Sequence, residues 1–179
     1  RVMFDEISFL INDNDKIGLV GRNGAGKSTL LKVLKGIQQI DGGDVMYPKG
    51  TIIGYLPQDL DSQSTLTVLD EAKKAFENVL KYMAEKDDVV HQMETRTDYE
   101  SDDYMELINR LNELEHQVEL HDGYQIEEQT ERILKGLGFD QSDFTKKVKD
   151  FSGGWQMRIE LAKILLQKPD LVLLDEPTN

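Results

Sequence analysis

The chain has 179 residues, of which 39% are hydrophobic and 31% charged, a composition typical of a globular protein with one domain and room for a large insertion. It has no cysteine, which excludes disulfides, thiolate zinc sites and a cysteine nucleophile and favours a cytoplasmic location. The sequence contains no run of 18 apolar residues that could span a bilayer, and its net charge of −13 argues at first sight against a partner held through phosphates.

The first part of the chain predicts a small α/β unit around one glycine-rich loop. Residues 12–15 are polar and separate two segments rich in Val, Ile and Phe, as a turn between two strands does. Residues 27–35 follow the loop with helical spacing of leucines, and Gly36 is placed to end that helix. In chain order, we expect strands at residues 1–11, 16–20, 44–47 and 51–56.

From residue 59 onward the hydrophobic residues recur at helical spacing. This pattern predicts two amphipathic helices, over residues 68–83 and 104–118. The polar residues 98–103 between them favour an antiparallel helical hairpin, and a third helix is predicted over residues 126–137.

The last part of the chain predicts one helix and one strand. Residues 155–167 are amphipathic, and that helix ends before Pro169. Residues 171–174 show no polar alternation, which is typical of a parallel strand covered on both faces. We therefore expect a core formed by residues 1–58 and 151–179, with residues 59–150 as an inserted helical subdomain that carries the hairpin arm.

The glycine-rich loop matches the pattern G-x-x-x-x-G-K-[ST] in the context that supports it, after an apolar strand and at the start of a helix. Its backbone N–H groups and the helix N-terminus favour phosphate, Lys27 can reach the β- and γ-phosphates, and the Ser28 hydroxyl can ligate Mg²⁺. The alternative is an ordinary glycine-rich turn. The candidate nucleotide-binding residues are Gly21, Arg22, Asn23, Gly24, Ala25, Gly26, Lys27, Ser28 and Thr29.

Two adjacent carboxylates, Asp175 and Glu176, follow the last predicted strand. They emerge at the carboxyl end of a sheet strand, where open α/β sheets bind ligands. Asp175 is the candidate for holding Mg²⁺ through water, and Glu176 is the candidate general base that polarises an attacking water. The alternative is a pair of solvated loop acids.

A second helix start could also bind an anion. Ser152, Gly153 and Gly154 lie at the beginning of the last predicted helix, where a hydroxyl and free N–H groups favour negative charge. Taken alone, Ser152 would be an ordinary helix cap. Gln58 follows the strand at residues 51–56 and is uninformative by itself.

These four features occur in the order found in the ATP-binding cassette (ABC) family, which the whole chain resembles. Residues 21–28 are similar to the Walker A loop, Gln58 to the Q-loop, residues 152–154 to the signature, and Asp175-Glu176 to Walker B with its catalytic glutamate. The resemblance implies a P-loop ATPase core of α/β class with an antiparallel β flank and an inserted helical arm. It also implies ATP and Mg²⁺, with Ser28, Gln58 and Asp175 at the metal.

Trp155, directly after the signature glycines, makes the chain resemble the first nucleotide-binding domain of the ABC-F subfamily, soluble tandem-cassette ATPases that act on the ribosome. The resemblance extends to residues 18–23 and the hairpin after Gln58. It implies that a second cassette on the same polypeptide completes the ATP site, so the isolated chain would turn over little ATP. We expect a truncated domain, because the adenine-stacking aromatic would precede Arg1 and the switch histidine would follow Asn179.

Two other functions stay open. The chain could be the ATPase subunit of an ABC transporter, which would need a hydrophobic groove near Gln58 for a membrane partner. A scaffold with a vestigial ATPase is disfavoured, because Lys27, Ser28, Asp175 and Glu176 are all present.

The predicted arm has two interpretations: the helical subdomain of an ABC cassette, or an extension that reaches a ribosomal feature. The charge of the arm is relevant to the second interpretation, in which it contacts the ribosome. Residues 59–150 hold 24 acids and 11 bases, whereas the rest of the chain holds 10 of each. The acidity therefore does not oppose ATP binding by the core, but an acidic arm is better suited to basic protein or solvent than to RNA phosphates.

Overall fold

The computed structural model describes residues 3–58 and 64–176, so that the predicted strand 1–11 is described from residue 3 onward. In order, the helices and strands are α1 Lys27–Lys35, β1 Ile53–Leu56, α2 Val68–Lys73, α3 Glu77–Glu94, α4 Asp102–Leu120, α5 Ile126–Gly136, α6 Gly153–Leu166 and β2 Leu171–Leu174. They belong to two compact units, one of residues 3–58 with 169–176 and one of residues 64–168. The second unit thus includes α6. The division into ATP-binding core and helical subdomain stays a prediction.

The first unit contains a parallel pair of strands. Ile53 pairs with Leu171 and the register continues to Leu56 with Leu174, as the apolar run at residues 171–174 predicted. Helix α1 contacts both strands. Leu173 is buried, but its neighbours Val172 and Leu174 are 36% and 40% exposed, so the expectation of a strand covered on both faces is wrong for the described residues.

The predicted antiparallel flank is not confirmed. Within the described residues, the segments 3–11, 16–20 and 44–47 contain no strand. The reason is physical: an extended segment becomes a strand only when a neighbour pairs with its N–H and C=O groups. The pairings described are the parallel β1–β2 ladder and one isolated antiparallel bridge between Thr67 and Lys147.

The second unit is helical; α4, α5 and α6 lie close to their predicted positions, whereas α3 continues to Glu94, 11 residues beyond the predicted end at residue 83. The predicted helix 68–83 is divided into α2 and α3 by a 3₁₀ turn, Lys74–Phe76. Helices α3 and α4 form an antiparallel hairpin, in which Arg110 of α4 donates to Glu85 of α3 at 2.7 Å through Nε. Whether the hairpin acts as an arm toward a partner stays a prediction.

Helices α2, α5 and α6 contribute most of the core of this unit. Its buried side chains are apolar with few exceptions: Val68, Ala72, Phe76, Val79, Ile126, Leu134, Phe139, Phe144, Val148, Ile159, Ala162 and Leu166. Ile126 and Leu134 contribute the buried apolar face of α5, and Ile159, Ala162 and Leu166 contribute that of α6, as in other amphipathic helices.

One carboxylate, Glu71 of α2, is buried beside this core and is fully paired. It accepts hydrogen bonds from Lys163 of α6 at 2.9 Å, from Lys74 at 2.8 Å and from Ser64 at 2.6 Å. Burial alone would raise the pKa of Glu71, but these hydrogen bonds outweigh it and lower the pKa to about 2. The Glu71–Lys163 ion pair thus joins α2 to the helix that begins after Ser152.

We expect Glu71→Gln to lower the free energy of unfolding by about 2 kcal/mol at pH 7. A carboxyl whose pKa falls from 4.5 to about 2 on folding stabilises the native state by roughly 3 kcal/mol, and the amide keeps part of the hydrogen bonding. This contribution is complete above pH 4.5 and declines as the pH falls toward 2, since the unfolded carboxylate protonates first. Urea unfolding at pH 7 and pH 3.5 should therefore show a smaller difference at the lower pH. The exposed Glu106→Gln on α4 is the control, and a wild-type-like Glu71→Gln at pH 7 would contradict the prediction.

Candidate functional site

The predicted phosphate loop turns sharply before α1. The Ala25 amide donates to the Arg22 carbonyl at 3.0 Å, which closes a turn over residues 22–25. Gly24 has φ = 79°, in the left-handed region that favours glycine. Residues 21–25 are exposed, so the loop is open to a ligand.

Gly26 is the position where this loop most requires glycine. It caps α1 with φ = 97°, and a Cβ there would lie 3.0 Å from atoms of Met3 and Phe4. The backbone angle therefore disfavours any other residue, and a larger one would also have to displace the ends of these two side chains. Ser28 and Thr29 occupy the first turn of α1 and are half-buried.

The Lys27 side chain folds back over its own loop. Its Nζ donates to the Gly21 carbonyl at 3.0 Å, lies 3.5 Å from the Arg22 carbonyl oxygen, and lies 3.9 Å from Oε1 of Glu176. The ammonium is thus held at the mouth of the loop by neutral carbonyls and one distant carboxylate. A phosphate is a stronger partner for it than a carbonyl, because the phosphate oxygen carries a negative charge that attracts the ammonium.

Gln58 and Glu176 meet at one edge of the parallel sheet. Gln58 lies two residues beyond β1 and Glu176 two residues beyond β2, and Gln58 Nε2 donates to Glu176 Oε2 at 2.8 Å. Glu176 adopts φ = 49°, a left-handed conformation uncommon for a residue with a side chain. The structure therefore brings together three of the predicted site residues, Lys27, Gln58 and Glu176.

Asp175 is buried, with 3% of its surface exposed, and its amide donates to the Leu56 carbonyl at 3.0 Å. The Tyr55 hydroxyl lies 3.5 Å from Asp175 Oδ2. Burial and this neighbouring carboxylate raise the pKa of Tyr55, so the phenol keeps its proton and can donate it to Asp175. The sequence did not identify Tyr55 as a site residue. Finding it requires the pairing register of β1 and β2, which sets Tyr55 opposite Leu173, two residues before Asp175.

The donor set suits Mg²⁺ rather than a metal held by protein alone. Among the described residues, no group of three or more His, Asp or Glu side chains is arranged to hold a metal ion. Mg²⁺ keeps several waters and is usually bound by one or two carboxylates together with substrate phosphates. The buried Asp175 carboxylate and the Ser28 hydroxyl at the helix start fit that requirement, with the Gln58 amide as a further oxygen donor.

The predicted signature residues lie in the helical unit. Ser152 precedes α6 and is exposed, as are Gly153 and Gly154 in its first turn. The Ser152 side chain makes no capping hydrogen bond, whereas its carbonyl accepts from the amides of Trp155 at 2.9 Å and Gln156 at 3.0 Å. The hydroxyl is therefore not used by its own helix.

The sequence model of the family described as ABC transporter matches residues 4–179. A relative in Haemophilus influenzae, the energy-dependent translational throttle protein EttA, is 35% identical over 100% of this chain. ABC transporter F family member 5 of Arabidopsis thaliana is 34% identical over 97% of it. The chain covers 31% and 25% of these two relatives, so it spans a quarter to a third of their length.

A solved structure also shares this fold. It is an ABC transporter assigned to the metal-chelate type in an inward-facing conformation, with a TM-score of 0.62 and 23% identity over 98% of this chain and 55% of that one. This likeness shows the P-loop ABC ATPase fold. In residues 3–58 and 64–176, no helix has both the length and the apolar character needed to cross a membrane.

We expect Gly26→Ala to weaken nucleotide binding by about tenfold or more, because a side chain at φ = 97° costs roughly 1–3 kcal/mol and displaces Met3 or Phe4. Gly42→Ala is the matched control, since a Cβ there meets nothing within 4 Å and the backbone angle is ordinary. Calorimetric titration with Mg-ATP measures both. Equal affinities for the two variants would show that the loop geometry at Gly26 does not matter.

Proposed function

The chain belongs to the ABC transporter family of ATP-binding domains, and from this premise we propose that it is an ATPase that converts ATP to ADP and phosphate with Mg²⁺. The observation that carries the proposal is the convergence of Lys27, Gln58 and Glu176 beside the phosphate loop and the parallel strand ends. A phosphate-binding group, an amide and a carboxylate are the groups that hydrolysis of a phosphoanhydride requires.

In this proposal the backbone N–H groups of residues 21–28 and the Lys27 ammonium bind the β- and γ-phosphates. Ser28, Gln58 and Asp175 hold Mg²⁺, which when bound neutralises negative charge on the phosphates. Tyr55 orients Asp175 by donating a hydrogen bond to the carboxylate. Burial supports the role of Asp175, because a buried carboxylate has a fixed direction.

Glu176 is the proposed catalytic base. Its carboxylate takes a proton from the attacking water, while the Gln58 amide, 2.8 Å from Oε2, fixes the carboxylate orientation. The contact between Lys27 and Glu176 is long, at 3.9 Å, so the ammonium can turn toward phosphate without breaking a strong ion pair.

We infer a second cassette on the same polypeptide as the main partner. Ser152, Gly153 and Gly154 then contact ATP held by that cassette, since a helix N-terminus and an unused hydroxyl favour an anion. The length of the relatives supports this partner, because the matched part is 31% of EttA and 25% of F family member 5. The rest of such a protein has room for another cassette.

We further infer that the whole protein is an ABC-F translation factor that acts on the ribosome in the cytoplasm. The support is the similarity to a translational throttle protein and to an F family member, together with Trp155 beside the signature. The alternative, an ATPase subunit of an ABC transporter, is supported by the fold shared with a transporter structure. Ribosome binding discriminates the two.

We expect Glu176→Gln in the full-length protein to bind ATP but to hydrolyse it at least about 100-fold more slowly than wild type. General base catalysis contributes on the order of 10²–10⁴-fold to the rate. ATP then stays bound and holds the cassettes closed. Phosphate release and co-sedimentation with ribosomes in the presence of ATP measure the two effects, and we expect more protein in the ribosome pellet than for wild type.

Glu128→Gln, an exposed change on α5, is the control and should behave as wild type. Undiminished phosphate release by Glu176→Gln would remove the proposed base. Slow hydrolysis without ribosome enrichment would keep the ATPase and refute the translation role.

A further inference from the structure

The helix that follows Ser152 begins with two glycines, which is a weak start. Each glycine inside a helix costs about 1 kcal/mol relative to alanine, because it loses more backbone freedom on folding. Ser152 provides no side-chain cap, and Gly153 and Gly154 have no side chains with which to pack. The direction of these backbone N–H groups must therefore be fixed by residues further along α6.

Trp155, the next residue, is held by an aromatic neighbour and a cation. Its ring centroid lies 4.9 Å from that of Phe139 with an interplanar angle of 67°, and the Arg158 guanidinium carbon lies 4.4 Å from the indole centroid. Arg158 Nη1 also donates to the Leu137 carbonyl at 3.1 Å. We call these four residues, Leu137, Phe139, Trp155 and Arg158, the tryptophan clamp. It joins the first turns of α6 to the chain just after α5.

The chain after α5 has a glycine, Gly138, next to the tryptophan clamp. Gly138, between Leu137 and Phe139, has φ = 94°, and a Cβ there would lie 3.1 Å from Arg158 Nη1 and 3.9 Å from Trp155. A larger residue would be strained and would push the guanidinium away. The carbonyl that accepts from Arg158 belongs to the C-terminal end of α5, where a cation is favoured by the helix dipole.

The Gln156 side chain makes hydrogen bonds to the segment that precedes α6. Its side-chain amide donates to the Phe151 carbonyl at 2.9 Å and to the Val148 carbonyl at 3.3 Å. The segment before Ser152 is thus attached to the first turns of α6 through Gln156. The tryptophan clamp attaches the same turns of α6 to the chain after α5. Residues 152–154 lie between the two attachments.

We propose that Trp155 and Arg158 are positioning residues, which hold the backbone of residues 152–154 in the direction needed to contact ATP on a second cassette. This inference rests on the proposed function and names the residues through which the signature acts. In this proposal Trp155 and Arg158 act through the first turn of α6 rather than by contact with ATP or with the attacking water. Arginine is required because its planar fork can lie over an indole and donate to a carbonyl at once, which the lysine ammonium does less well.

The test is Arg158→Lys in the full-length protein, with the exposed Arg132→Lys on α5 as the matched control. We expect kcat to fall by half or more, because one of two ATP sites depends on this signature, with KM and the Kd for ATP at this chain's own loop unchanged. The amides of Trp155 and Gln156 should exchange hydrogen several-fold faster than in wild type. Arg132→Lys should match wild type in every measurement.

Trp155→Phe provides a second variant, which keeps an apolar ring and removes most of the surface under the guanidinium. If both variants melt well below wild type, the clamp is merely structural and the inference is overturned. If wild type hydrolyses ATP and both variants keep its kcat, the inference fails and the proposed function stands. If wild type itself hydrolyses no ATP, both the proposed function and the inference that rests on it are refuted.

Discussion

The candidate site depends on the parallel pairing of β1 with β2. The register sets Leu56 opposite Leu174, so the residues that follow the two strands emerge at the same edge. The Asp175 amide extends this ladder by donating to Leu56, which fixes where the chain turns toward Glu176. Residues 118 positions apart in sequence, Gln58 and Glu176, come within 2.8 Å for this reason. A one-residue slip would separate them, because it would turn each side chain to the opposite face.

Charge is unevenly distributed in this strongly acidic chain. The excess of 13 acids lies within residues 59–150, and acids and bases are equal in number elsewhere. In the helical region many acids are paired along the surface, as Glu85 and Glu113 are with Arg110. At the proposed site the Lys27 ammonium lies 3.9 Å from one acid, Glu176, so an anion would be attracted by oriented N–H groups rather than by net charge. Total charge is therefore a poor guide to what this chain binds.

The sequence predicted best those elements that local chemistry specifies. Helix α1 begins at Lys27 and ends before Gly36 as predicted, because a glycine-rich loop and a left-handed glycine mark its ends. Apolar spacing predicted the positions of α4, α5 and α6, but neither the break between α2 and α3 nor the end of α3 at Glu94. The antiparallel flank was not found, because strands need partners that a local pattern cannot supply. Tyr55 and the tryptophan clamp were missed for a related reason: each depends on which distant residue the fold brings near, and spacing within one element does not contain that information.

Two helix starts in this chain face the same physical problem and solve it differently. An anion site needs backbone N–H groups without side chains in the way, and glycine provides this at the cost of backbone order. At α1, Met3 and Phe4 lie close to Gly26, and a Cβ added there would lie 3.0 Å from their side chains. At α6 the order is restored by attachment, through an indole, a guanidinium and a carbonyl. The proposed phosphate loop thus has side chains packed close to its last glycine, whereas the start of α6 is attached through residues beyond its glycines and stays exposed.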